Sequence, residues 1–273
     1  MLESLLLVLL ALATAALGAL GGLGGAVVLV PLLVLSGTPA REAAPLGLLS
    51  VASGSLAAGP RQLADLTVHH RLGVTTETMA SVGAVSGALL SGAFGETLLK
   101  RLLATVALAA AGASLRGRDE THAVATAEGD GDLGERRGTL SGTFRADGTI
   151  RRYQARNLPG GLAVMTVAGL VAGIAGASGG FIKTPASSEI MRVPVKVAAS
   201  TTTFTVGITS AAALLVFAAH GRIDLADAGP VIAGSLLGGQ LGARLQSRLD
   251  SSVIRRALAA ILVVVALILF VQA

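Results

Sequence analysis

Two short glycine-rich elements offer backbone groups that could bind a ligand. They begin at Gly22 and at Gly176, 154 residues apart, and each has a proline six residues after an internal glycine, at Pro31 and Pro185. Glycine and proline are unfavourable inside a helix, so each element is expected to interrupt one. An interruption frees backbone N–H groups and directs the positive end of the next half-helix into the gap, where an anion can accept hydrogen bonds. This chemistry predicts ligand contacts at Gly24, Gly25, Ser178, Gly179 and Gly180.

Side chains after the second element could add to such a site. Lys183 is a cation, whereas the matching residue of the first element is Leu29. A run of hydroxyls would add neutral donors, which suit a site that must release its ligand. These are Ser200, Thr201, Thr202 and Thr203. Inside a membrane a lysine is costly and marks a functional position. The structural alternatives are that Lys183 reaches for the membrane surface and that the hydroxyls bond their own helix.

The composition of the surrounding segments is typical of a membrane protein. Of 273 residues, 52% are hydrophobic and 14% are charged, and the mean hydropathy is +0.74. Ordinary soluble domains have roughly 25% charged residues. The chain has no cysteine, which excludes disulfides, thiolate zinc sites and cysteine nucleophiles. No motif indicates a cofactor.

The hydropathy pattern predicts eight membrane spans, four in each half. A helix needs about 20 apolar residues to cross a bilayer. The predicted spans cover residues 5–35, 40–64, 75–94, 98–115, 160–191, 197–219, 226–243 and 253–271. The first span of each half is the one interrupted by a glycine-rich element. With eight crossings, both termini would lie on the same side of the membrane as the central loop.

The two halves share further features, which indicate an internal duplication. Gly83 and Gly87 recur as Gly234 and Gly238, 151 residues later, and such small-residue runs let membrane helices approach closely. The expected fold is therefore an all-α membrane protein built from two four-helix repeats, with the first helix of each repeat broken at a Gly-rich loop. The predicted domains are a first transmembrane repeat, a polar central loop and a second transmembrane repeat, at residues 1–115, 116–158 and 159–273.

The central loop differs in kind from the spans. Fifteen of its 43 residues are charged, so it must lie in water. Residues 139–145 and 149–154 alternate like two strands around Asp147-Gly148, which predicts a β-hairpin. Residues 129–134 are expected to be flexible, and no site is expected in this loop.

A family resemblance is specific at these residues. The run from Gly176 to Pro185, followed by the segment 193–204, resembles the signature of the sulfite exporter TauE/SafE family, and the first half resembles its partner signature. The resemblance covers nearly all of both halves but not the central loop. It implies a multi-pass inner-membrane carrier of small anions such as sulfite or organosulfonates. Pro45-Leu46-Gly47 replace the polar pair of the first signature, so the first half is expected to contribute little polar contact.

The resulting functional prediction is a secondary transporter, not an enzyme. Its expected partners are membrane lipid and a small anionic substrate. No ATP-binding motif is present, so an ion gradient is expected to drive transport, with protons as one candidate coupling ion. A nucleic-acid partner is poorly supported, because the basic residues are scattered and the chain has one tyrosine and no tryptophan.

Two other functions remain open on sequence alone. The first is an intramembrane serine protease, because residues 176–179 form a Gly-x-Ser-Gly arrangement with Ser178 as nucleophile and His220 as its base. The second is a non-transporting membrane anchor that holds a partner through the central loop. His69, His70 and His220 lie in short polar breaks and are expected to be solvated.

Overall fold

Helices and one small sheet make up the part of the chain that the computed structural model describes, which is residues 2–21, 24–115, 133–146, 149–245 and 251–273. The helices in these ranges are α1 (Leu2–Gly21), α2 (Ala26–Leu35), α3 (Ala40–Ala64), α4 (His70–Ser91), α5 (Glu96–Leu115), α6 (Leu158–Ala175), α7 (Gly180–Pro185), α8 (Val195–Ala219), α9 (Leu225–Leu245) and α10 (Ser251–Val271). A π-helical turn, Ala186–Ile190, extends α7.

The helices present an apolar outer surface. Five of them, α1, α3, α5, α6 and α8, are long and apolar enough to cross a membrane. Large apolar side chains on the outside, among them Leu5, Val82, Leu215 and Leu267, are more than half exposed. Exposed apolar area on this scale fits lipid better than water. Helices α4, α9 and α10 also coincide with predicted spans, but they do not meet the same requirements of length and apolar composition. The predicted count of eight spans is therefore not confirmed.

The segment predicted as a broken fifth span is a helical hairpin. A Cβ atom added at Gly179 would lie 3.0 Å from the carbonyl oxygen of Ala168, and Gly161 lies against Met191. The chain after Gly176 therefore returns along α6 instead of continuing beyond it. Gly176 has φ +65°, a left-handed conformation that reverses the chain and that glycine adopts without strain.

The first glycine-rich element makes a similar turn. Gly25 packs against Gly18 and Ala15, so α2 starts beside the last turns of α1. Gly24 has φ +83° at this point. Residues 22 and 23 of the predicted first span lie outside the described residues.

The bundle has two distinct ends. At one end, which we call the far end, Arg222 donates hydrogen bonds to Ser91 Oγ at 2.8 Å and to the Arg41 carbonyl oxygen at 3.1 Å. There the Glu96 carboxylate also accepts a hydrogen bond from the Ala40 amide at 2.7 Å. At the other end, the sheet end, Glu135 of the sheet accepts from the Arg71 amide.

The direction of α1 and α9 corrects the predicted membrane topology. The two helices run parallel, because Gly234 lies against Val8 and Gly242 lies against Ala16. Since α9 starts beside Arg222 at the far end, α1 starts there too, and α10 runs back towards it. The expectation that both termini share a side with the central loop is wrong, because each glycine turn sends its helix back towards the end it came from.

Small residues allow the closest helix contacts. Gly83 and Gly87 of α4 lie directly on the backbone of α6, and Gly173 of α6 lies on the backbone of α4. Helix α9 packs on α1 in the same way. Close backbone approach of this kind maximises van der Waals contact where the hydrophobic effect is weak, as in lipid.

The predicted hairpin is confirmed, with one strand more than expected. The strands β1 (Gly134–Glu135), β2 (Ser141–Ala146) and β3 (Thr149–Gln154) form an antiparallel sheet in that order. Its Phe144 and Tyr153 side chains are buried in a cluster with Leu72 and Met191, which fastens the sheet to the bundle. The Asp147-Gly148 turn and residues 129–132 lie outside the described residues.

Candidate functional site

A small cavity lies where the two glycine turns meet. Its volume is about 30 Å³. Gly24 of the first turn and Ser178 of the second are in such close contact that a Cβ atom on Gly24 would overlap the Ser178 hydroxyl. The cavity is lined by Ala15, Gly18, Ala19, Gly24, Gly25, Ser50, Val51, Gly54, Ser55, Ala58, Ser178, Gly180, Thr202, Thr203, Val206 and Gly239. Both halves of the chain therefore contribute to one site.

Helices α3 and α8 form the walls of the cavity and are tied together across it. Ser55 Oγ donates to the carbonyl oxygens of Thr203 and Phe204 at 2.8 and 3.0 Å. Ser50 Oγ and Ser235 Oγ form a buried hydrogen bond of 2.8 Å. The first half was expected to contribute little polar contact, yet Ser50 and Ser55 of α3 bring two of its hydroxyls to the cavity.

The polar groups of the cavity are uncharged. Among the described lining residues there are hydroxyl and amide groups but no ionised side chain. Ser178 is 1% exposed, and its Oγ accepts a hydrogen bond from the Gly180 amide at 3.1 Å. Hydroxyls can donate to an anion and can rotate to other partners afterwards. The arrangement therefore suits transient binding of a small polar solute.

The structure brings together only part of the predicted site. Six of the predicted residues line the cavity: Gly24, Gly25, Ser178, Gly180, Thr202 and Thr203. Four do not: Gly179, Lys183, Ser200 and Thr201. Thr201 faces another neighbour, since its Oγ1 accepts a hydrogen bond from the His69 amide at 3.0 Å. Ser50, Ser55 and Gly54 of α3 were missed, although Ser50 aligns with Thr205 at the 155-residue interval.

Lys183 is buried against a carboxylate that the sequence analysis did not single out. Its Nζ lies 2.9 Å from both carboxylate oxygens of Glu77, and the two side chains are 1% and 3% exposed. Lys183 Nζ also donates to Thr209 Oγ1 at 2.7 Å. The lysine therefore does not extend to the membrane surface. The signal for Glu77 was available, because an acidic residue within a predicted span is a functional candidate by default.

Two threonines of α8 complete the surroundings of Glu77. Thr205 Oγ1 donates to one carboxylate oxygen at 2.9 Å, and Thr209 Oγ1 contacts the other. The pair thus joins α4, α7 and α8. A buried charge pair is tolerated only when such hydrogen bonds satisfy both partners.

Of the two histidines at the sheet end, which were expected to be solvated, His70 is exposed and His69 is not. His69 is fully buried, whereas the His70 side chain is 58% exposed. His69 Nδ1 accepts a hydrogen bond from the Leu72 amide at 3.2 Å and lies 3.6 Å from the Glu135 carboxylate. Burial lowers the pKa of His69, and the nearby charge of Glu135 opposes that shift. The sheet covers His69, which local polarity could not indicate.

The geometry does not support a serine protease. His220 is exposed at the end of α8, at the far end, and its Nδ1 contacts its own helix at the Val216 carbonyl oxygen. Ser178 lies inside the bundle against Gly24 and Gly180. A nucleophile and its base must lie within hydrogen-bond reach of each other, and these two residues lie in different parts of the molecule.

The comparison with known proteins identifies the family of the chain. Residues 7–269 match the family described as sulfite exporter TauE/SafE. No curated protein and no solved structure matches the chain. The match covers nearly the whole chain and includes both glycine turns, and several helices are apolar enough to span a bilayer. The chain is therefore a multi-pass membrane protein that belongs to the sulfite exporter TauE/SafE family.

Proposed function

We propose that the chain is a secondary transporter, acting as an exporter in the inner membrane, that carries a small anion such as sulfite or an organosulfonate through the cavity between the glycine turns. The observation that carries this proposal is the meeting of Gly24 and Ser178, one from each half, in a cavity lined by neutral donors. In transporters built from repeats, substrate sites lie at the repeat interface beside discontinuous helices.

The proposal includes two repeats of opposite orientation. Helix α1 packs on α9 as α4 packs on α6, and the contact of α3 with α9 corresponds to that of α8 with α4. In each pair of contacts, a helix of the first half and its equivalent in the second half have changed places. The repeats would thus be α1–α5 and α6–α10, which enter the membrane from opposite sides.

The small volume of the cavity indicates that the structure would be a closed intermediate of the proposed transport cycle. About 30 Å³ holds roughly two water molecules, since one needs about 10–15 Å³ of such space. Sulfite has four non-hydrogen atoms and requires more room. Transport would therefore need the two glycine turns to separate, first towards one end of the bundle and then towards the other.

Anion flux in proteoliposomes tests the function, with a cavity-filling variant to locate the site. Gly54 lines the cavity, and a Cβ atom added there would meet nothing closer than 4.0 Å. Gly54→Leu should fill the cavity. Gly112→Leu is the matched control, because Gly112 is an exposed helical glycine with open space around it.

We expect wild type and Gly112→Leu to move sulfite or 2-hydroxyethanesulfonate, and Gly54→Leu to lose at least about 90% of the flux. Equal flux in the Gly54→Leu variant, folded as judged by gel filtration, would place the path elsewhere. Absence of flux of both anions in wild type would contradict this substrate class.

A further inference from the structure

The buried Glu77–Lys183 pair has no counterpart in the first half of the chain. The positions that match Lys183 and Glu77, at the intervals of 154 and 151 residues, are Leu29 and Ala228. Leu29 is 0% exposed and Ala228 is 6% exposed, so both matching positions are buried and apolar. A buried ion pair is often no more stable than well-packed apolar residues of similar volume. The architecture therefore does not require the charges, which points to a function for them.

The same elements hold the pair and line the cavity. Helix α7 contributes Gly180 to the cavity and Lys183, one turn later, to the pair. Helix α8 contributes Val206 to the cavity and Thr209 to the pair. One turn of helix is about 5 Å, which is within the reach of a flexible lysine side chain. A change in the partner of Lys183 can therefore alter the charge and the hydrogen bonding at the cavity.

A groove connects Glu77 with the outside of the bundle. It has a volume of about 550 Å³ and runs along α4 beside Ile208 of α8. Thr78, Ser81 and Ser86 line it together with Glu77. The lining is mainly apolar, but the Ser81 hydroxyl is buried without a hydrogen-bond partner among the described residues, so it is free to bond a water molecule that enters the groove. Together with Thr78 and Ser86, it gives Glu77 a line of hydroxyl groups on a side of α4 that is separate from the cavity.

We propose that Glu77 is the proton-binding site of transport, and that its carboxylate competes with the substrate anion for Lys183. This inference rests on the proposed function. In the resting state the carboxylate neutralises Lys183. A proton from groove water binds a Glu77 oxygen, the carboxyl group becomes neutral, and Lys183 keeps its charge. The anion then neutralises Lys183, so that one proton and one negative charge enter the protein together.

The linkage between the two ligands fixes the sign of the coupling. If a proton on Glu77 strengthens anion binding, the anion strengthens proton binding by the same factor. Anion affinity therefore rises as the pH falls, by at most about tenfold per pH unit for one linked proton. Proton and anion move in the same direction, so the outward gradient of the anion drives export and any inward gradient of protons opposes it.

Other titratable groups near Glu77 are few. On the elements packed against it, α6 has none, α7 has Lys183 and the π-helical turn that extends it has the exposed Glu189, and α8 has the exposed Lys196 at its start. On its own helix the nearest are His70 and Arg71, about 10 Å away at the sheet end. His69, just before α4, faces Glu135 instead.

Calorimetric titration of the detergent-solubilised protein with 2-hydroxyethanesulfonate tests the competition. This sulfonate stays a monoanion between about pH 6 and about pH 8, so any pH dependence belongs to the protein. Wild type should bind more tightly at the lower pH. Glu77→Gln should bind at the higher pH at least as tightly as wild type does at the lower one, with no pH dependence. A purely structural role for Glu77 would predict weaker binding instead.

Two further variants keep the test decisive. Glu42→Gln makes the same chemical change at an exposed carboxylate and should follow wild type. The double variant Glu77→Ala/Lys183→Leu introduces the residues found at the two matching positions and should fold but bind at least about tenfold more weakly at both pH values. Weaker, still pH-dependent binding by Glu77→Gln would overturn the inference, as would wild-type affinity in the double variant.

The experiments distinguish a failure of the role proposed for Glu77 from a failure of the proposed transport function. Wild-type flux in proteoliposomes combined with pH-independent sulfonate binding would overturn the role of Glu77 and leave transport standing. Absence of both flux and binding in wild type would overturn the two proposals together.

Discussion

The chemistry of single residues depends here on which partner the fold supplies. Lys183 was a candidate anion ligand on sequence grounds, yet in the structure both of its carboxylate contacts come from Glu77, 106 residues away. Thr202 and Thr203 line the cavity, whereas their neighbour Thr201 turns to His69. Adjacent positions on a helix point about 100° apart, so a run of hydroxyls cannot all face one site.

His69 should make the fold less stable in acid. It titrates near pH 6.5 when unfolded, and burial lowers its pKa in the folded protein. As the pH falls through 6.5 the unfolded chain binds the proton first, so stability is complete above this pH and decreases below it. Wild-type protein in detergent should therefore melt at a lower temperature at about pH 5.5 than at about pH 7.5.

His69→Asn tests this assignment, because asparagine can still accept the hydrogen bond of the Leu72 amide at the start of α4. The variant should lose much of the acid-induced decrease in melting temperature. His220→Asn, at an exposed histidine, should keep it. An unchanged pH dependence in His69→Asn would assign the effect to other groups.

Helix pairs in this protein are specified by small residues rather than by polarity. Gly83 and Gly87 were predicted to permit close packing, and they lie on α6. The sequence did not show which helix would be the partner, because such a run carries no information about the opposing surface. Glycine at a contact and glycine on an open face look alike in sequence.

Two alanine substitutions separate these cases. In Gly173→Ala, the new methyl group would meet the backbone of α4 at Ala84 and Ala88. Overpacking of this kind costs about 1–3 kcal/mol. In Gly112→Ala of α5 there is open space, and the higher helix propensity of alanine should stabilise the helix by up to about 1 kcal/mol. Melting temperatures in detergent should move in opposite directions. An unchanged melting temperature in Gly173→Ala would mean that α4 and α6 can shift apart freely.

At the scale of the whole molecule, the direction of each helix decides what an aqueous reagent can reach. The glycine turns return α2 and α7 towards the ends from which α1 and α6 start. The sheet and the two ends of the described chain therefore lie at opposite ends of the bundle. This topology differs from eight successive crossings, which would place them together.

Single cysteines can distinguish the two topologies, because the chain has none of its own. Arg137 at the sheet end and Gln272 at the far end are both exposed. A membrane-impermeant maleimide should label Arg137→Cys and Gln272→Cys from opposite sides of the membrane. Glu3→Cys, also exposed, should behave like Gln272→Cys. Labelling of all three from one side would restore the eight-crossing arrangement.

Local features of the sequence determined the helices, the sheet and the neighbourhood of the site. Apolar runs of bilayer length, the Asp-Gly step and the repeated glycines each act over a few residues, so they could be recognised without tertiary structure. Gly24, Gly25, Ser178 and Gly180, which were singled out on these grounds, line one cavity, and their binding of a ligand stays a prediction.

Only the tertiary structure decided the directions and the partners. Hydropathy shows that a segment is buried but not whether it crosses the bundle or returns, and the left-handed turn at Gly176 determines the latter. Glu77 and Lys183 are adjacent because α4 and α7 both pack on α8. Such contacts depend on long-range packing, which leaves no periodic signal in the sequence.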